Sequence, residues 1–181
     1  AKQRKMLSHY DNATLYNDSI VAQIVKRFEK EDAIIIYMPD HGEECYEENR
    51  GFICRNHSAA IDWPLAHYEF EIPFWIYCSR KYIRKHRDIY KQIRKVKGRR
   101  YMTDALPHLL LYLAGIETPT YQAKYNILSP EYDERRPRIL KNSAEYDELR
   151  DEHMAKEKKA YEKKGRKEDY GYTLTNLNRV L

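Results

Sequence analysis

Two apolar patterns near the start of the chain predict a helix followed by a buried strand. Between residues 12 and 30 the apolar positions recur at helical spacing, and Asp11 or Asn12 can cap the start. Residues 33–38 are apolar throughout and are bounded by charged residues and by Pro-Asp, which is typical of a buried strand. A helix, a short turn and a buried strand make half of an α/β unit.

The middle of the chain continues this alternation after a long loop over residues 40–64, and loops of such length are commonly functional or mobile. The apolar segment 70–78 predicts a second strand, with Pro73 at an edge, a strand start or a bulge. Amphipathic spacing then predicts a helix over residues 82–96 with a basic outer face, which Gly98 ends.

Two further helices are predicted in the second half. Residues 105–114 are nearly all apolar, with Pro107 in the first turn and Gly115 just past the end, so we expect a buried helix. From residue 131 onward the chain is richly charged. Residues 143–164 predict an exposed helix there, capped by Ser143 and supported by Glu–Lys pairs.

Length and composition limit the class of protein. With 181 residues the chain is one domain or a little more, and 42% apolar residues are enough to build a core. The 34% of charged residues exceeds the usual share, which indicates a solvated helix or tail. No apolar run approaches the length of a membrane span, and the polar start predicts no signal peptide and resembles the interior of a larger protein.

The net charge of +5 is unevenly distributed. Between Arg80 and Arg100 there are eleven Lys or Arg residues and a single acid, Asp88, whereas acids concentrate in the loop after the first strand. This contrast predicts a cation site beside a surface that favours anions, with a merely solvated helix face as the alternative. The basic segment could bind the domain to anionic lipid head groups at a membrane surface. Nucleic acid is not expected as a partner, because the segment carries no recognised motif and its aromatic residues lie on the apolar stripe.

The three cysteines do not form a fully paired framework. Cys45 and Cys54 lie in the same loop and could close a small disulfide in an oxidising compartment, or could be two buried thiols. Because no C-x-x-C spacing occurs, a structural zinc knuckle is not expected.

The sequence Asp40-His41-Gly42-Glu43 directly follows the first predicted strand and carries the candidate chemistry. Carboxylate and imidazole ligands suit zinc or manganese, and a turn bracketed by Pro39 and Gly42 would let both side chains reach one metal. Glu43 could orient His41, and His57 could fold back as a third ligand or as a donor to a phosphate oxygen. An ordinary loop turn is the alternative, and His67 is a reserve candidate.

A series of motifs resembles the phosphoethanolamine transferases of the sulfatase and alkaline-phosphatase superfamily. The resemblance covers roughly residues 5–140 in the order that the family shows. It rests on Tyr10-Asp11-Asn12, Pro39-Asp40-His41-Gly42-Glu43-Glu44, Asn56-His57, Phe70-Glu71-Ile72-Pro73-Phe74-Trp75, Thr103-Asp104-Ala105-Leu106-Pro107-His108 and Arg135-Arg136-Pro137-Arg138.

The resemblance implies a partial alkaline-phosphatase-like α/β sheet flanked by helices, with a charged helical C-terminal tail. It also implies a zinc enzyme in which a metal-bound threonine takes phosphoethanolamine from a phospholipid and passes it to a lipid A or glycan acceptor. Such enzymes act at the periplasmic face of the inner membrane. By the same resemblance Asp40 and His41 are metal ligands, His57 contacts substrate phosphate or a second zinc, and Glu43 supports His41.

The nucleophilic threonine has no match in this chain, nor does the acidic ligand of the first family strand. We therefore expect residues 1–140 to be the C-terminal half of such a catalytic domain, residues 141–181 to be a charged extension, and the chain to be inactive alone with an incomplete zinc site. A sulfatase, a phosphoglycerol transferase and a non-catalytic α/β binding domain are the alternatives. Unpaired strand edges also predict a homodimer.

Overall fold

The computed structural model describes residues 2–47, 51, 53–55, 60–141 and 143–163. The α-helices are α1 Lys2–Phe28, α2 Trp63–Leu65, α3 Arg80–Lys85, α4 Arg87–Lys95, α5 Leu106–Leu113 and α6 Tyr146–Lys163, with a π-helical turn Ala66–Phe70 and 3-10 turns Thr103–Ala105 and Ala123–Tyr125. The strands are β1 Ile34–Tyr37, β2 Glu44–Cys45, β3 Ile53–Cys54, β4 Trp75–Cys78, β5 Ile139–Leu140 and β6 Ala144–Glu145. Helices and small sheets alternate, so the predicted α/β class is confirmed.

The chain forms two compact units. The first unit contains Ala1–Met38, Glu43–Arg55 and Phe74–Lys95, and the second unit contains Pro39–Gly42, Asn56–Pro73 and Val96–Leu181. The chain therefore leaves the first unit at the end of β1, places four residues in the second unit, and returns at Glu43.

The first unit is organised around the antiparallel pair β1 and β4, in which Ile34 is opposite Cys78 and Tyr37 is opposite Trp75. The Tyr37 and Trp75 rings stack at 5.0 Å, a cross-strand aromatic pair of the kind that stabilises sheets. Beyond β4 the buried Ser79 hydroxyl donates to the Glu31 carbonyl at 2.6 Å and accepts from the Tyr82 amide at 3.0 Å. Ser79 thus caps α3 and ties its start to the turn before β1.

The first predicted strand is confirmed to within a residue at each end. The prediction that it is buried is wrong: its residues are only half-buried, because among the described residues β1 pairs with β4 alone. The helix before it is longer than predicted. Helix α1 begins at Lys2, so the predicted cap at Asp11 or Asn12 is wrong. Residues 2–7 are mostly good helix formers, which extend the helix without an apolar stripe.

Two other predictions in this region need correction. The second strand covers only Trp75–Cys78. Phe70 ends the π-helical turn, and Ile72 and Phe74 flank Pro73, which has no N–H for a ladder, in the connection before the strand. The predicted single helix over residues 82–96 is divided at His86, where φ is −120°. The His86 ring packs against Tyr82 at 4.3 Å, and its Nε2 lies 3.6 Å from the Asp32 carboxylate.

The second unit has its core where the π-helical turn meets β5 and α6. Ala66, Leu140 and Tyr146 are buried together, and several partly buried apolar side chains pack around them: Ile61, Trp63, Phe70, Met102 and Leu149. The Asp62 carboxylate caps α2 by accepting from the Leu65 amide at 3.0 Å, and Pro64 occupies the first turn. Asp62 and Pro64 therefore define the N-terminus of this helical segment.

Helices α5 and α6 differ from their predictions in detail. Pro107 and Gly115 lie where expected, and Gly115 has the positive φ of +66° that favours glycine past a helix end. The prediction that α5 is buried is wrong, because only Leu109 is buried and the Leu110 side chain is 47% exposed. Helix α6 begins at Tyr146 after the short strand β6, so Ser143 is not its cap.

The surface of the first unit carries two further features. Helix α1 has no fully buried residue and exposes Leu15, Tyr16 and Phe28. Helix α4 is strongly amphipathic, with its basic side chains outermost. In the part of the chain that the structure describes, no helix is at once long and apolar enough to cross a bilayer.

Candidate metal centre

The side chains of Asp40 and His41 converge in the turn that follows β1 in the sequence. Asp40 Oδ2 lies 3.3 Å from His41 Nε2, and the Asp40 side chain is 88% exposed whereas that of His41 is 26% exposed. His41 Nδ1 lies 2.8 Å from the Gly42 carbonyl oxygen. Since a carbonyl can only accept, Nδ1 is the donor in this contact, which leaves Nε2, on the side of Asp40, as the ring nitrogen that could bind a metal.

This donor set fits a zinc ion. Tetrahedral zinc with bonds of about 2.0–2.1 Å separates two ligand atoms by roughly 3.3 Å. The observed distance between Oδ2 and Nε2 equals that separation. A ligating histidine commonly donates its other N–H to a carbonyl, which is what Nδ1 does here. Two side chains alone do not complete a zinc site.

The other predicted site residues are placed less fully. His57 lies outside the described residues. The partner that orients His41 through Nδ1 is the Gly42 carbonyl, and the role of Glu43 stays a prediction. Within the described ranges, no three His, Cys, Asp or Glu side chains come together as a metal site.

Gly42 is needed because its backbone packs closely against another part of the second unit. Its amide donates to the Glu69 carbonyl at 2.9 Å. A Cβ on Gly42 would lie 2.2 Å from the Tyr68 carbonyl oxygen, a backbone atom that cannot rotate away. The turn carrying Asp40 and His41 therefore rests directly on the main chain of the π-helical turn, and π-turns recur at functional sites.

The reserve candidate His67 is occupied by other contacts. Its Nδ1 lies 2.8 Å from Glu71 Oε1. Its ring stacks on Trp63 at 5.3 Å, and Trp63 stacks at 5.1 Å on His153 of α6. His67 is thus a packed histidine of the second unit.

A buried ionic cluster was not anticipated from the sequence. Asp147, in the first turn of α6, accepts from Arg138 at 2.6 and 3.1 Å, pairs with Arg100, and lies 3.1 Å from Arg150. Burial raises the pKa of Asp147, but the hydrogen bond and the positive charges of the arginines outweigh it and hold the pKa below its usual value. No local pattern in the sequence marks the pairing of Arg138 with Asp147, which lie nine residues apart. Charged residues are expected on the surface unless they are paired.

The cysteines are free thiols. In the β2–β3 hairpin Cys54 is opposite Glu44, whereas Cys45 is opposite Ile53. Because neighbouring strand residues point to opposite faces, this register places the two thiols out of phase for a disulfide. Burial, followed by the charges of Glu47, Glu43 and Asp11, raises the pKa of Cys45 to about 11, so the thiolate is strongly disfavoured.

Comparison with known proteins identifies the class. The Sulfatase family model matches residues 1–116, and the chain therefore belongs to the sulfatase family. Within it, the chain is homologous to phosphoethanolamine transferases, which confirms the resemblance seen in the sequence.

Two relatives illustrate the match. Phosphoethanolamine transferase EptC of Escherichia coli O18:K1:H7 (strain RS218 / NMEC) is 32% identical over 137 residues, which are 74% of this chain and 22% of that protein. Phosphoethanolamine transferase EptA of Helicobacter pylori (strain ATCC 700392 / 26695) is 32% identical over 92 residues, which are 50% of this chain and 17% of that protein. The chain thus spans about a fifth of the length of these relatives.

A solved structure shows the same fold. The crystal structure of the C-terminal periplasmic domain of EcEptC from Escherichia coli, in complex with Zn, superposes with a TM-score of 0.66 and 28% sequence identity. The match covers 82% of this chain and 42% of that one.

Proposed function

We propose that this chain contributes metal ligands to a zinc-dependent phosphoethanolamine transferase. The observation that carries the proposal is the convergence of Asp40 Oδ2 and His41 Nε2 at 3.3 Å, at the separation that two zinc ligands require. Homology to phosphoethanolamine transferases and the likeness to a zinc-bound domain support it.

Each candidate residue has a distinct role in this proposal. Asp40 and His41 bind the metal, and Glu43 helps to orient His41. His57 binds the phosphoryl group of the substrate. None of the 181 residues is matched to the nucleophilic threonine of the family, so we propose that these residues hold metal and substrate and do not turn over substrate by themselves.

The described residues prepare the site for this role. When bound, zinc would activate the nucleophile and neutralise phosphoryl charge. The Nδ1 hydrogen bond holds the His41 ring so that Nε2 stays available as a ligand. The exposed Asp40 carboxylate supplies negative charge for the cation, and the bond from Gly42 to Glu69 holds the turn that carries both side chains.

Zinc titration of the 181-residue chain, followed by calorimetry, tests the assignment. We expect Asp40→Ala and His41→Ala each to weaken zinc binding by at least about tenfold. His9→Ala is the matched control, because His9 is an exposed histidine of α1, and it should leave the affinity unchanged. Equal zinc affinity in all four proteins would end the proposal.

The finer parts of the proposal follow the family. We infer a phospholipid donor, a lipid A or glycan acceptor, and a location at the periplasmic face of the inner membrane. The names of one relative, Kdo(2)-lipid A phosphoethanolamine 7''-transferase, and of the matched periplasmic domain support this. The division into a catalytic part, residues 1–140, and a charged extension, residues 141–181, also stays a proposal.

A sulfatase activity is the second candidate, because the matching family model is that of the sulfatases. Phosphoglycerol transfer and non-catalytic binding are the remaining alternatives. Assays of the longest natural form of the protein with p-nitrophenyl sulfate and with a p-nitrophenyl phosphodiester separate them. Release from the sulfate alone would favour the sulfatase, and release from neither would favour a binding domain.

The basic segment between Arg80 and Arg100 is proposed to contact an anionic membrane surface. In α4, Arg87, Lys91 and Arg94 recur along one exposed face, and only Asp88 brings an opposite charge to that helix. Each such residue is worth about 1 kcal/mol at an anionic bilayer. Co-sedimentation with phosphatidylglycerol vesicles should fall when Arg87, Lys91 and Arg94 are all changed to Gln. It should not fall when Lys26, Arg27 and Lys30 are changed to Gln instead.

A homodimer is proposed from the apolar side chains that α1 exposes. Sedimentation velocity should then show a mass that rises with concentration. A monomer at every concentration would exclude the dimer.

A further inference from the structure

The carboxyl group of Glu71 is the centre of a buried polar cluster in the second unit. Its side chain is only 2% exposed. Oε1 lies 2.8 Å from His67 Nδ1 and accepts a hydrogen bond from the Tyr146 hydroxyl, while Oε2 has no hydrogen-bond partner among the described residues. A buried carboxyl group that depends on so few donors is sensitive to the loss of any one of them.

Glu71 is adjacent in sequence to the π-helical turn, which supports residues 39–42, the turn that carries Asp40 and His41 and is here called the metal turn. It directly follows the π-helical turn Ala66–Phe70, and the Glu69 carbonyl two residues earlier accepts the Gly42 amide at 2.9 Å. The Tyr68 carbonyl lies where a Gly42 side chain would project. A shift of Glu71 therefore moves the backbone on which Asp40 and His41 rest.

On its other side, Glu71 is held by a rigid anchor. Tyr146 starts α6 and is fully buried with Ala66 and Leu140. The next residue, Asp147, is bound by Arg138 at 2.6 Å and paired with Arg100. The Tyr146 hydroxyl therefore has little freedom, and the π-helical turn is clamped between α6 and the metal turn.

We propose that Glu71 and Tyr146 are positioning residues for the metal turn. The Tyr146 hydroxyl fixes Glu71, Glu71 fixes the end of the π-helical turn, and that turn fixes Gly42 and with it the spacing of Asp40 and His41. The start of α6 would thereby contribute to the geometry of the ligand pair without touching it. We call this series of contacts, from Tyr146 through Glu71 and the π-helical turn to Gly42, the clamp. Its relevance to catalysis rests on the proposed function, whereas the contacts themselves are independent of that proposal.

Amide exchange of Gly42, measured by NMR on the labelled 181-residue chain without metal, tests the proposal. Tyr146→Phe removes one hydroxyl, and we expect Gly42 to exchange roughly five- to tenfold faster, the effect of one buried hydrogen bond. The Ala114 amide, which donates to Leu110 at 2.9 Å in the same unit, is the reference and should change less than about twofold.

Tyr132→Phe is the matched control, because the Tyr132 hydroxyl donates to the Arg100 carbonyl in the same unit. It should leave Gly42 exchange within about twofold of the parent chain. Glu71→Gln keeps an acceptor oxygen and should likewise stay within about twofold. Equal acceleration by Tyr146→Phe and Tyr132→Phe, or none by Tyr146→Phe, overturns the proposal, as does a Glu71→Gln chain that exchanges as fast as Tyr146→Phe.

The two proposals can fail separately. A chain whose Gly42 exchange responds as expected but whose zinc affinity is the same in the parent, Asp40→Ala and His41→Ala would refute the metal assignment alone. A chain that binds zinc through Asp40 and His41 but shows no effect of Tyr146→Phe would refute only the clamp.

Discussion

Two of the pairs of a histidine and a carboxyl group in the second unit differ in almost everything except chemistry. Asp40 and His41 are adjacent in sequence, and the Asp40 side chain is 88% exposed. His67 and Glu71 are one turn apart, and the Glu71 side chain is 2% exposed and bound by Tyr146. The first pair keeps an open face for a ligand, whereas the second is enclosed by protein. Burial, more than residue type, therefore distinguishes the candidate ligand pair Asp40–His41 from the structural pair His67–Glu71.

The largest effect expected from this comparison is on stability. Glu71→Ala should lower the free energy of unfolding by about 2–4 kcal/mol, because it leaves the Tyr146 hydroxyl buried without its acceptor and opens space in the core. Urea unfolding followed by circular dichroism measures it. A loss as small as that of a surface substitution would show that the two pairs are alike.

Gly42→Ala should have the next largest effect. The added Cβ meets the Tyr68 carbonyl at 2.2 Å, so one backbone must move, at a cost of roughly 1–3 kcal/mol. Zinc affinity should fall with stability, since the turn moves with Gly42.

Gly98→Ala is the control for this experiment. Gly98 has a φ of +88° and no neighbour within 4 Å of an added Cβ, so only backbone strain of about 1–2 kcal/mol is expected. Its zinc affinity should not change. A parallel loss of affinity in both variants would contradict a steric role for Gly42.

The arginine cluster that anchors Tyr146 should make stability depend on pH. The pKa of Asp147 is lower in the folded chain than in the unfolded one, so its contribution is complete above the unfolded value of about 4 and is lost as pH falls through the folded value. Thermal unfolding of the parent and of Asp147→Asn should therefore differ most near neutral pH and converge in acid. A gap that stays constant to pH 2 would exclude this linkage.

The smallest expected effect completes the comparison. Asp40→Ala should change the free energy of unfolding by less than about 0.5 kcal/mol, because the side chain is exposed. The same variant should weaken zinc binding, so stability and affinity separate at Asp40 as they cannot at Glu71. A large loss of stability in Asp40→Ala would place this carboxylate among the structural groups.

The sequence predicted the strand that leads into the metal turn better than it predicted the contacts that hold that turn in place. The apolar run that became β1 was predicted from local pattern, which acts over a few residues, whereas the role of the adjacent Asp40 and His41 as ligands stays a prediction. The clamp was missed because Glu71 and Tyr146 lie 75 residues apart, and no periodicity marks a buried hydrogen bond. The second strand was predicted to begin too early, at Phe70, because Phe70 and Ile72 are apolar whether or not they lie in a strand. Long-range burial, rather than local propensity, determined these outcomes.

The contact between Gly42 and the π-helical turn joins main chain to main chain. The side chains at positions 68 and 69 do not form it, so a substitution at either position removes neither atom of the bond. A one-residue deletion or insertion between Ala66 and Phe70 would instead rotate the carbonyls away from Gly42. For this contact, the number of residues in the segment therefore matters more than the identity of their side chains.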